Sequence, residues 1–530
     1  MKKEIRYAVL ALSLIIFAAS FNAQDNALPT LRGDAAVEKL KQNGEYDSLA
    51  EAVKAARTED PAANLVNQAA KFVASDGSNG DAFGTGLAIS GNTAVAGAWG
   101  HNMGATSNVG AAYVFVRNGT TWTQQQKLTA SDGGEGDGFG ISATIEGDTI
   151  IVGAWHATVS GNTNRGAAYI FVRSGTTWTE AQKLTASDGG VAHEFGRSVA
   201  IDGNTLIVGA TQANGLGAAY VFVRSGAVWT EQQKLTASDG AASDDFGYVA
   251  LDADTALVGA PGDDTGANTD HGSAYVFVRS GTVWTQQQKL MAPDPAVNDA
   301  MGSRGAVAIE GDTIIVGMKG DDVGSNSEQG SVFVFNRSGT VWTQQAQLFA
   351  SDGAPGSFFG TVALDGNTLV VGAYGVNVGL NAAVGSAYIF SRSGAVWTER
   401  QQIIASDGAN MDHFGVTVAL SGNKVFVSAP DAGIGMQNDQ GVAYIFIARV
   451  SVSGRLLTAD GSGVPKANVQ MTLANGSTLT TVSNSFGYYR FDGIEADQSV
   501  TVSVNSKRFS FTPQMVLLSD NIADLNFTAQ

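Results

Sequence analysis

Three short oxygen-rich clusters are the residues in this chain whose types and spacing best suit metal chemistry. Asp76, Asn79 and Asp81 stand at positions one, four and six of one loop, and the spacing recurs at Asp132, Glu135 and Asp137 and at Asp407, Asn410 and Asp412. Such oxygens suit Ca2+, a hard cation that takes roughly six to eight oxygen ligands, with carbonyls and water completing the shell. The competing reading has the first Asp closing an Asx turn and the others solvated. A second group is aromatic and imidazole: Trp99, His101, Trp155, His156, His271 and Tyr374. Exposed rings beside polar groups stack on sugars or grip peptide side chains. The alternative for Trp99 and Trp155 is packing between neighbouring structural units.

Catalysis has little footing. Five histidines, no cysteine and no Gly-x-Ser-x-Gly string leave few nucleophile arrangements. His193-Glu194 opens a zinc-protease-like string, but Arg197 stands where the second histidine belongs and the segment reads as a loop. The chain is therefore expected not to be an enzyme and to require no cofactor, with Ca2+ as the one ion its loops suit. The alternative is a hydrolase or lyase acting on extracellular polymers, since an acid and base need only suitable spacing and tuned pKa values.

The elements that position these residues belong to a repeat. A phrase of about fifty-five residues recurs seven times, marked by Phe-Gly at Phe83, Phe139, Phe195, Phe246, Phe359 and Phe414, with Met301 in the fifth copy. A tight turn and a Gly-Ala pair follow each landmark. Residues 195–237 read as four strands, at 198–201, 205–210, 218–224 and 229–237, with Gly203-Asn204 as a two-residue hairpin turn. Their apolar runs call for cover on both faces, which predicts propeller blades.

Six copies end in a strand led by Trp122, Trp178, Trp229, Trp284, Trp342 or Trp397, while the seventh ends at Ile447 without one. Residues 71–77 repeat the phrase at 127–133, so a strand at 68–75 is expected to complete the last blade and remove a sheet edge. The fold class is all-β, a seven-bladed propeller over 68–447. Blades one, two and seven become neighbours, gathering the three oxygen clusters in one sector. One rim carries short turns in which Arg and Trp stand five apart in six blades, a spacing suited to a cation–π contact. The other rim carries the variable loops, where binding is expected. Blade five is irregular, with Met301 for Phe and two extra residues before Ile309.

The Phe-Gly and Gly-Ala landmarks, with phrases such as Leu235-Thr236-Ala237-Ser238-Asp239-Gly240 and Gly272-Ser273-Ala274-Tyr275-Val276-Phe277, resemble the FG-GAP repeat family. The best-known members of that family form the seven-bladed head of integrin alpha chains, so the resemblance implies adhesion and binding. The integrin-type calcium loop between the first two strands is replaced here by Gly-Asn or Gly-Asp, so those calcium sites do not carry over, and the chain looks more like the secreted bacterial branch. From 450 to 530 the pattern changes. Val452-Ser453-Gly454-Arg455, Gly463-Val464-Pro465 and Ser485-Phe486-Gly487-Tyr488-Tyr489 resemble the carboxypeptidase regulatory-like domain, which implies a small, non-catalytic, transthyretin-like β-sandwich.

Composition sets the setting. A net charge of −18 repels nucleic acid and anionic lipid. Lys2, Lys3 and Arg6 precede an apolar run, which reads as a Sec signal peptide over 1–23. Residues 24–67 are expected to form a short helical or linker segment, with a capping box at Ser48 and Glu51. The absence of cysteine excludes a lipoprotein anchor, and no later segment reads as transmembrane. The expected partner is an extracellular protein or glycan met in a secreted or cell-surface setting. A purely structural spacer in a surface assembly is the remaining reading.

Overall fold

The computed structural model describes residues 66–264, 269–496, 498–518 and 521–530. The signal peptide and the helical segment expected over 24–67 lie outside them, except residues 66 and 67, which belong to a strand. Among the described residues the only helical element is a single 3-10 turn at Ala213–Gly215, and no helix is long and apolar enough to cross a membrane.

Blade three shows how the repeat folds. Its strands are Phe195–Asp202, Thr205–Ala210, Ala218–Ser225 and Val228–Leu235, hydrogen-bonded in that order and antiparallel. Because side chains alternate across a strand, Leu206 and Val208 enter the core shared with blade two, while Ile207 enters the core shared with blade four. Each sheet is thus covered on both faces, and all three side chains are fully buried. Phe195 anchors the inner end by meeting Tyr220 and Phe222 edge-on, with ring centroids 5.6 and 6.0 Å away. Between Phe195 and Ser198 the pairing register shifts, so the inner strand begins earlier than the sequence pattern indicates.

Six blades are built this way from consecutive strands, and each sheet remains open. The seventh comprises Val418–Ser421, Lys424–Ala429, the first half of Val442–Leu457 and, outermost, Val66–Phe72. Val66 lies opposite Ala448 and Phe72 opposite Ala443. The strand stops at Phe72, short of the expected Ser75, because the chain bends into a turn closed by the Gly77 N–H donating to the Ala74 carbonyl. Blade seven meets blade one as consecutive blades meet. Phe83 N–H donates to the Gln440 carbonyl at 2.9 Å, and Phe139 N–H to the Val109 carbonyl at 3.0 Å.

The C-terminal domain has no flexible linker. The sixteen-residue strand Val442–Leu457 leaves blade seven and pairs with Tyr488–Glu495 and Phe527–Thr528. A second sheet, formed by Asn468–Thr472, Thr478–Val482, Ser499–Asn505 and Gln514–Leu517, closes a core around Val452, Met471, Phe491 and Val502. This domain touches the short-turn rim. Asn423 Nδ2 donates to the Ala496 carbonyl at 3.0 Å, and Arg117 Nη2 donates to Glu495 at 2.7 Å.

That last contact departs from the repeat. In blades two to six the matching arginine lies over its tryptophan at 5.1–5.2 Å and reaches a threonine of the preceding blade, as Arg279 reaches Thr205 and Arg392 reaches Thr313. For Arg117 the preceding blade is the seventh, where Lys424, a donor that cannot accept from a guanidinium, takes the threonine's place. Arg117 turns to Glu495 instead, so the six-blade pattern expected from sequence is realised in five.

Candidate functional site

The first Asp of each loop cluster is held by its own blade. Asp76 accepts from Tyr113 and Lys127, each at 2.7 Å. Asp132 accepts in the same way from Tyr169 and Lys183. For Asp407 the tyrosine is Tyr444, and the lysine is Lys71 from the N-terminal strand, 2.6 Å away. Burial raises the Asp76 pKa, but the bonds from Lys127 and Tyr113 outweigh it and hold the carboxyl below its ordinary value. The same bond, adding to burial, pushes the Tyr113 hydroxyl far up.

The sixth position closes the loop on itself. Asp81, Asp137 and Asp412 are buried, and each accepts a backbone N–H three residues back, from Ser78, Gly134 and Ala409 at 2.7–2.8 Å. Burial raises the Asp412 pKa. At position four, Asn79 and Asn410 accept from the backbone N–H groups of Asn438 and Ala382 in the neighbouring blade's loop, while Glu135 is exposed. Apart from Glu135, each residue that sequence spacing offers to Ca2+ thus accepts from a protein donor. Among the described residues no group of three or more His, Cys, Asp or Glu is placed to hold a metal ion. Thermal unfolding is accordingly expected to have the same midpoint, within about 1 °C, in EDTA and in Ca2+ at roughly 100 times any relevant Kd. A bound ion would add about 2.7 kcal/mol and shift it clearly upward.

The aromatic and histidine candidates divide. His101 is buried between Asp81, 2.8 Å from Nδ1, and Lys127, 2.7 Å from Nε2, and His271 is fully buried. Neither faces an incoming ligand, because the loop cluster closes over the first and blade four over the second. Trp99, Trp155, His156 and Tyr374 are half-buried. Trp155 stacks on His156 with centroids 3.5 Å apart, and Tyr374 stacks on Phe358 at 4.9 Å.

Trp99, Trp155 and Tyr374 share one position in the repeat, directly after Gly-Ala, and blade five has Lys319 there. That lysine, with Tyr374, lines an axial cavity of about 420 Å³. The irregularity of blade five fills the cavity with charge. The Gly302 N–H donates to the Gly317 carbonyl and the Gly317 N–H to the Ala306 carbonyl, so residues 303–305 bulge from the sheet edge. Gly305, at φ +70°, permits that bulge. Arg304 is thereby carried across the ring, and its Nη2 donates to the carbonyls of Thr85 and Ile141 at 2.8 and 2.6 Å. Those acceptors lie in blades one and two, the pair opposite blade five.

Lys319 Nζ donates to the Arg304 carbonyl at 2.6 Å, and Arg197 from blade three lines the same space while stacking 3.8 Å from the centre of the Trp155 ring. Burial, with the Arg197 charge beside it, lowers the Arg304 pKa to about 10. Burial and then Arg304 lower Lys319 to about 7. Sequence reasoning registers Arg197 only as the residue that spoils a zinc-protease string, and passes over Arg304 and Lys319. The available signal is the two-residue insertion of blade five.

Family models match what this geometry displays. The FG-GAP repeat matches at residues 66–115, 122–171, 178–222, 229–277, 284–335, 342–390 and 397–446, and the carboxypeptidase regulatory-like domain at 451–530. A comparison with curated proteins finds no match. Among solved structures, the crystal structure of Saccharomyces cerevisiae Sqt1 is similar at a TM-score of 0.40 and 11% identity, covering 72% of this chain and 99% of that one. That likeness is too distant to bear on fold or function. Seven repeat matches in succession, each spanning the outer strand of one blade and the first three strands of the next, place the chain in the FG-GAP repeat family, with a carboxypeptidase regulatory-like domain at its C-terminus.

Proposed function

We propose that this protein is a secreted or cell-surface binding and adhesion module, non-catalytic, that presents the variable-loop rim of its propeller to an extracellular protein or glycan. Family membership supports the surface setting. The observation that carries the choice of rim is the difference between the two ends. Short repeated turns latched by arginines form one end, part of which the C-terminal domain occupies through Asn423 and Arg117. The opposite end carries longer loops, with Trp99, Trp155, His156 and Tyr374 half-buried at its inner edge. Half-buried rings on a rigid scaffold supply contact area at low entropic cost.

The test is binding of the full chain to immobilised extracellular glycans and matrix proteins, repeated with Trp99→Ala and Trp155→Ala combined. Loss of a buried aromatic anchor should weaken binding by about thirtyfold or more. Unchanged affinity in a folded double variant would remove this rim from consideration, and turnover of a polymer would replace the binding role with an enzymatic one.

A further inference from the structure

Charge in the axial cavity lacks a counter-charge. Arg197, Arg304 and Lys319 line it together, and no Asp or Glu belongs to its wall. Nε of Arg197 is buried with no acceptor. Arg304 uses only Nη2, on the two carbonyls of the opposite wall, and Lys319 has one carbonyl, that of Arg304. Asp245 is near enough to feel Arg197, but its carboxylate accepts from Gln212 at 2.5 Å. Like charges gathered in one recess without a counter-ion are costly. Composition does not explain them either, because the chain as a whole carries a net charge of −18.

We propose that the axial cavity binds a small oxyanion, a carboxylate, sulfate or phosphate group, gripped by the guanidinium groups of Arg197 and Arg304 and the ammonium of Lys319. Planar guanidinium groups suit paired oxygens, and the lysine adds a point charge. A volume of about 420 Å³ lies within the usual range for small-ligand pockets, so the anionic group has room to arrive on a body of several more atoms. An anion between the three cations would also restore the ordinary charge of Lys319. This site adjoins the rim contact at Tyr374 and Trp155, but the two readings are tested by different ligands, so failure of macromolecular binding does not decide anion binding.

The test is isothermal titration calorimetry of the full chain in low-salt buffer, with sulfate, inorganic phosphate and galacturonate titrated separately. Saturable binding of at least one is expected, and the anion preferred distinguishes an inorganic from a carboxylate source. Arg197→Gln and Lys319→Gln should each weaken binding by about tenfold or more. These variants are chosen over Arg304→Gln, whose side chain ties opposite walls together, and circular dichroism verifies their fold. Absence of binding by all three anions at about ten millimolar, a concentration that detects even millimolar affinity, would overturn the proposal. So would binding that both folded variants leave unchanged.

Discussion

Phe72→Ala lowers the unfolding free energy by about 3–5 kcal/mol, a loss at the upper end of single core truncations. The residue belongs to the N-terminal strand, yet its ring is only 3% exposed. It meets Phe426 of blade seven at 5.5 Å, and Phe115 and Trp122 of blade one at 4.5 and 5.7 Å. One side chain thus fills the junction between the last and first blades. Removing it leaves a cavity at the only interface where segments from opposite ends of the repeat array must meet. Equilibrium denaturation measures the loss. A cost below about 1 kcal/mol would mean that the strand is peripheral and the junction holds without it.

Gly209→Ala is the second large effect, expected to cost about 3 kcal/mol or more as overpacking against a backbone that cannot withdraw. A Cβ at that position would stand 1.7 Å from the Gly247 carbonyl oxygen of the next blade. The same conflict exists at Gly97, Gly153, Gly259, Gly317 and Gly372, each facing a glycine carbonyl at 1.9–2.1 Å. The glycine of the Gly-Ala landmark is therefore a consequence of blade spacing. Gly209 supplies no side chain because the neighbouring inner strand occupies its space. Blade seven alone has a side chain at this position, Ser428, whose Cβ faces Gly84 of blade one, while the backbone hydrogen bonds of that junction follow the other blades. A denaturation midpoint for Gly209→Ala equal to that of the parent would show that the blades can separate without penalty.

Much of this architecture is legible in the sequence for reasons that these two residues illustrate. Alternation in runs such as Leu206-Ile207-Val208 marks strands covered on both faces, and the Trp-led strands count the blades. The missing seventh outer strand is found because residues 71–77 repeat 127–133.

The hydrogen-bond partners of the oxygen clusters were not legible, because spacing within a loop is silent about donors arriving from elsewhere. Tyr113 and Lys127 lie 37 and 51 residues beyond Asp76 and reach it only once the third and outer strands have paired. A signal was nonetheless present. Tyr accompanies the first Asp in six blades and Lys in five; blade six has Gln402 for the lysine, and blade five, which keeps Asp294, has Phe333 and Gln347 in the two places. The axial cations were harder to foresee. Two of the three, Arg304 and Lys319, arise where one blade breaks the repeat, and a reading guided by the repeat passes over the bulge that brings Arg304 to the axis.

The most direct measurement of the central claim is hydrogen exchange of the full chain with and without the first partner the binding panel returns. If the variable rim is the binding face, protection appears in the loops following Ala98, Ala154 and Ala373, and the arginine-latched turns at Gly175, Gly226 and Gly281 exchange as before. Protection confined to those turns or to the C-terminal domain, with the variable loops unchanged, would contradict the account.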